Sequence, residues 1–119
     1  MISCGVTATP TTIIKIQACH NKNTQTELDR CRDEGLAVAE KQLAEVYSRL
    51  KKTYQEYEPG QVPLLDLMVK QWRRADIVEC EFTSYFSRGG AAYHAEYIGC
   101  LEKKFRLRIL QLKKIVETP

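Results

Sequence analysis

Residues 80–100 read CEFTSYFSRGGAAYHAEYIGC, and this stretch decides the fold. Ser87-Arg88-Gly89-Gly90 breaks an otherwise helical pattern, and Cys80 and Cys100 stand ten residues before and after Gly90. Where two helices enter and leave a turn antiparallel, positions equidistant from it come face to face, at a separation that a disulfide bridges. A helical hairpin closed by a Cys80–Cys100 bond is therefore expected.

The pattern extends outward on both sides. Leu64, Leu67, Met68, Trp72, Ala75, Val78 and Phe82 recur at helical steps and predict a helix over 62–86 with these residues facing inward. Pro63 suits its first turn, where a missing N–H costs nothing. Ile98, Leu101, Phe105, Ile109, Leu112 and Val116 predict a further helix over 91–116. Ahead of Pro59-Gly60, which stop a helix, Leu36, Leu43, Val46, Tyr47, Leu50 and Tyr54 trace the apolar face of a helix over 24–58. Its start carries a capping box, Thr24-Gln25-Thr26-Glu27, and a run of acids (Glu27, Asp29, Asp33, Glu34) that suits the positive end of the helix dipole. Cys31 lies about two turns into this helix and Cys19 in the chain leading to it, so a short backward loop can join them in a second disulfide. Strand-like alternation is absent. The expected fold is all-α, an up-down antiparallel three-helix bundle stapled by two disulfides.

At 119 residues the chain is long enough for one domain, with residues 1–18 as an N-terminal tether and 19–119 as the helical domain. No run of about 18 apolar residues could span a membrane. Five cysteines without a Cys-x-x-Cys pair, beside only His20 and His94, do not make a zinc set, and neither metal nor cofactor is expected. Buried free thiols are the alternative, but the placement about Gly90 favours disulfides and hence an oxidising compartment: periplasm, cell surface or exterior. Residues 1–18 are threonine-rich, are interrupted by Pro10, and lack the charged start and longer apolar stretch of an ordinary signal peptide. Ile2-Ser3-Cys4-Gly5 nevertheless resembles the end of a bacterial lipoprotein signal, which makes Cys4 a candidate lipid and membrane anchor; a plain unpaired cysteine is the alternative.

Catalytic chemistry finds no foothold. No cysteine or serine is spaced to a base, and Glu79 and Glu81, two apart on a helix, point away from each other. Gly89-Gly90 makes a turn, not a phosphate cradle. The chain therefore reads as no enzyme. Its net charge of +3 belongs to the second half, where residues 61–119 hold ten basic and seven acidic side chains. Lys103, Lys104, Arg106, Arg108, Lys113 and Lys114 follow one another without an acid between them. Apolar residues interleave at helical spacing, so this is a solvated face and not a nucleic-acid groove. Lys103, Lys104, Arg106, Lys113 and Lys114 are candidates for contact with an anionic envelope surface. Tyr85, Tyr93 and Tyr97 gather at the Gly-Gly turn, as a partner-binding patch or as loop packing.

Taken together, Cys19, Thr24-Gln25-x-Glu27-Leu28-x-x-Cys31, Leu43 with Tyr47, Trp72 with Cys80, and Gly89-Gly90 followed by Cys100-Leu101, Arg108 and Leu112 resemble the lysozyme-inhibitor LprI N-terminal domain family of bacterial envelope proteins over about residues 19–112. Ala44 stands where the family has Asn, Val69 where it has Gln, and Asp76-Ile77 where it has Arg-Asp. The resemblance implies a helical, disulfide-bonded, exported or lipid-anchored domain that binds a lysozyme-like hydrolase or another envelope protein. A basic lysozyme would favour an acidic inhibitor face, which here only Glu27, Asp29, Asp33 and Glu34 supply. The alternative is a structural envelope lipoprotein, held by Cys4, whose basic third helix rests on anionic polymers or lipid.

Overall fold

A computed structural model describes residues 18–117, with side chains through residue 115. The tether expected over 1–18 (beyond Ala18), the Cys4 anchor and the side chain of Val116 lie outside the described residues. Three α-helices follow in order: α1, Gln25–Tyr57; α2, Val62–Ser84; and α3, Tyr93–Glu117. Short 3-10 turns at Pro59–Gln61 and Tyr85–Ser87 begin the two connections. Among the described residues there is no strand, and no helix is long and apolar enough to cross a membrane.

The start of α1 is fixed by its cap. The Thr24 hydroxyl accepts from the Glu27 N–H at 3.1 Å, which satisfies a donor that the first helical turn leaves unpaired. Glu27 reaches back one residue further than a standard capping box, accepting from the Asn23 N–H at 3.1 Å. At the other end the Glu58 N–H closes onto Tyr54 O, and Pro59 ends the helix. Gly89, at φ +81°, occupies the left-handed region where a side chain would be strained, and it lets the chain reverse between α2 and α3.

Cross-helix pairs set the directions. Glu40 meets Arg73 and Tyr47 meets Asp66, so α1 and α2 run antiparallel. Cys80 is bonded to Cys100 and Glu79 pairs with Lys104, so α2 and α3 also run antiparallel. Asp33 with His94 and Gln42 with Arg106 then place α3 parallel to α1. This is the up-down bundle, with Cys19–Cys31 tying the entry chain to α1 and Cys80–Cys100 tying α2 to α3 at Cα separations of 6.0 and 5.7 Å. The main core joins Val46 and Leu50 of α1, Leu65 of α2, and Ile109 and Leu112 of α3. Nearer the first disulfide, α1 buries Gly35 and Ala39, two small residues that let another backbone come close.

The inward face of α2 differs from expectation. Of the seven residues expected to face in, only Met68 and Trp72 do so, both half-buried, while Leu64, Leu67, Ala75, Val78 and Phe82 are exposed. The buried line is instead Leu65, Val69, Trp72, Asp76, Cys80, at steps of three and four. Helical geometry places it roughly 130° around α2 from the Leu64–Phe82 stripe. The reason is chemical. A covalent bond at Cys80 and a buried ion pair at Asp76 both point α2 toward α3, and together they override the stronger hydrophobicity of the other stripe.

Candidate functional site

The most heavily tied buried group is built around Asp76. Its carboxylate is 1% exposed and accepts two hydrogen bonds from Arg108, from Nε at 3.0 Å and from Nη2 at 2.8 Å. Arg108 spends its remaining nitrogen on Gln111, at 2.8 Å, and its guanidinium lies 4.7 Å from the centre of the Trp72 ring. A bidentate fork of this kind holds a planar cation in one orientation, and the indole face adds a cation–π contact. The space between Trp72, Asp76, Phe105 and Arg108 is about 20 Å³, too small for a substrate. The arrangement is a girder between α2 and α3, with no free group to offer a ligand.

Asp76 was the residue that sequence reasoning missed. Its signal was spacing, because Asp76 lies four residues after Trp72 and four before Cys80 and so shares their face. Glu102 was missed too; it is fully buried in the middle of α3, where its carboxylate takes the Arg106 Nε at 2.9 Å.

A second polar knot joins α1 to α2. Tyr47 donates its hydroxyl to Asp66, and Lys51 pairs with the same carboxylate at 3.3 Å while lying 5.7 Å from the centre of the Tyr47 ring. Burial first, and then the neighbouring Asp66, push the Tyr47 hydroxyl up to about 12. Asp66 is held below the ordinary carboxylate range, mainly by accepting the tyrosine proton in a hydrogen bond.

The remaining candidates separate into three groups. Thr24 and Glu27 form the cap, Leu43 and Tyr47 edge the core, and Leu112 is fully buried within it. The basic residues of α3 do not share one surface: Lys104 turns to Glu79 of α2 at 2.6 Å, and Arg106 turns to Glu102 and to Gln42 of α1. Lys103, Lys113 and Lys114 stay exposed. The acidic opening of α1 is similarly engaged, with Glu27 in the cap, Asp29 accepting from Gln25 at 2.9 Å, and Asp33 within 2.8 Å of the His94 ring.

Around the α2–α3 turn, Tyr93 and Tyr97 stack in parallel with ring centres 5.9 Å apart, half-buried. Burial, then the charge of Glu81 and the neighbouring Tyr93, raise the Tyr97 hydroxyl above its ordinary value. Tyr85 is exposed with Arg88 stacked 3.8 Å over its ring, and Phe82 and Phe86 stand 80% and 81% exposed. Single exposed apolar residues are ordinary, and large aromatics this open at one end of a domain are a candidate contact surface. Among the described residues no three His, Cys, Asp or Glu side chains could hold a metal ion.

The geometry is that of a helical bundle stapled by two disulfides, with candidate contact surfaces. Comparison with known proteins bears on what it contacts. No curated protein and no solved structure matches the chain. The family model described as Lysozyme inhibitor LprI matches residues 17–112, from the entry chain ahead of Cys19 to Leu112 in the core of α3. The chain therefore belongs to the LprI lysozyme-inhibitor family.

Proposed function

We propose that this protein is an exported, non-catalytic binding module whose partner is a lysozyme-like hydrolase. The observation that carries the proposal is the family match across residues 17–112, which takes in all of α1, all of α2 and most of α3. Lysozyme inhibition is an act of binding, so it requires a rigid surface and no acid, base or nucleophile. Two disulfides supply the rigidity and favour an oxidising compartment outside the cytosol.

Charge argues for selectivity toward the partner. The net charge is +3, and most of the acidic opening of α1 is engaged in local contacts. Long-range steering toward a strongly basic lysozyme is therefore weak, and the contact depends on short-range packing by the exposed aromatics at the α2–α3 turn. A less basic hydrolase fits this surface better. Titrating the oxidised protein against basic and near-neutral lysozymes by calorimetry tests the proposal. Saturable one-to-one binding, weakened by Phe86→Ala, is expected; no heat with any of the hydrolases would overturn it.

A further inference from the structure

The outer face of α2 is apolar along most of its length and is open to solvent. Leu64, Leu67, Gln71, Ala75, Val78 and Phe82 follow at steps of three and four, and all six are exposed, Leu64 by 65%, Val78 by 56% and Phe82 by 80%. A second face of the same helix, roughly 130° around, packs inward through Leu65, Trp72, Asp76 and Cys80. A helix that is apolar on two separate faces has the composition of a buried element, yet the bundle covers only one of them.

We infer that two copies of this chain pair through α2, antiparallel about a two-fold axis passing near Ala75. Two charge pairs toward the ends of the stripe favour this occupant, against a single meeting of Arg74 with its own counterpart beside the axis. Lys70 and Glu81 are eleven residues apart, about three helical turns, so they lie on the same flank of the stripe. A two-fold axis perpendicular to both helices keeps that flank on the same side in both copies. It sets Lys70 of one beside Glu81 of the other, and does so twice. The same register lays Leu67 against Phe82, Gln71 against Val78, and Ala75 against its own counterpart. A parallel pairing would put that flank on opposite sides of the two copies, so Lys70 and Glu81 could not pair. Among the described residues neither Lys70 nor Glu81 has an ion-pair partner within the chain. Leu64, Leu67, Val78 and Phe82 leave roughly 450 Å² of side chain open on each copy, which suits a small, reversible dimer rather than the ~800 Å² per side of a standard interface.

Sedimentation equilibrium of the full, oxidised chain tests the pairing. A dimer is expected, and the Leu67→Glu/Phe82→Glu variant should sediment as a monomer with unchanged helical circular dichroism, since both residues are exposed in the single chain. Lys70→Glu or Glu81→Lys alone, each reversal acting twice across the axis, should weaken association roughly tenfold, and the two together should restore it. A monomeric parent chain, a dimer that survives the double glutamate variant, or a charge swap no better than its parts would each overturn the inference. A monomer whose binding to a hydrolase is lost with the double glutamate variant would assign the face to that partner, and would overturn it too. A failure of lysozyme binding leaves the dimer test intact, because the pairing is argued from the exposed face of α2 and its flanking charges and not from the proposed function.

Discussion

Removing Arg108 should cost more stability than any other single polar change in the bundle. The variant Arg108→Met keeps an unbranched apolar stem against Trp72 but leaves the Asp76 carboxylate, 1% exposed, without the two hydrogen bonds that neutralise it. An uncompensated buried charge of this kind costs about 3–5 kcal/mol. The reverse change, Asp76→Leu, should cost less, about 2–3 kcal/mol, because the Arg108 side chain is 17% exposed, keeps Gln111 and Trp72, and can turn its charge toward water. The double variant Asp76→Leu/Arg108→Met should recover most of the loss and fall within about 1–2 kcal/mol of the parent, since an apolar pair of similar volume replaces a buried ion pair at little cost. Urea unfolding of the oxidised proteins at neutral pH, followed by far-ultraviolet circular dichroism, gives all four corners of the cycle. A loss under about 1 kcal/mol for Arg108→Met, or a double variant whose cost is the plain sum of the singles, would refute the girder role.

Three further outcomes follow from named contacts. Replacing both Cys80 and Cys100 by serine should lower stability by about 3 kcal/mol in urea unfolding, the loop-entropy value for a twenty-residue closure, while far-ultraviolet dichroism still reports a helical protein. Thr24→Ala should cost about 1 kcal/mol by the same assay, with Thr24→Ser close to neutral, because the hydroxyl accepts the Glu27 N–H. The Tyr47 hydroxyl, raised to about 12, binds its proton more tightly in the folded chain than the ordinary tyrosine does. Its stabilising contribution is therefore complete below about pH 10 and is lost as pH rises through about 12, and a pH series of urea midpoints should show Tyr47→Phe flattening that alkaline fall.

The helices, their order and the antiparallel hairpin were legible because each rests on local signals: the Thr24 cap, the stops at Pro59 and Gly89, and apolar residues at helical spacing. The family was legible for a similar reason, since its marks are cysteines, a tryptophan and an arginine at fixed separations. The inward face of α2 was not legible from hydrophobicity, because α2 carries two apolar stripes and the richer one faces outward. Asp76 chooses between them, and a lone acid among apolar residues looks like surface until its partner, 32 residues later, is known. The basic residues of α3 looked like one face in the sequence because the run holds no acid; their acids come from α2 and from Glu102, just outside the run. Gly35 and Ala39 were overlooked for a related reason: close approach of two helices is signalled by small residues, which add little to an apolar pattern.

The central claim is that the stapled helical platform acts by binding a lysozyme-like hydrolase, and a cell-wall lysis assay tests it most directly. Oxidised protein in increasing molar ratio should slow lysis and reach a plateau, and the same protein reduced and alkylated should slow it far less, because the platform loses both staples. Unchanged lysis at large molar excess across basic and near-neutral lysozymes, or equal inhibition by the reduced and alkylated chain, would contradict it.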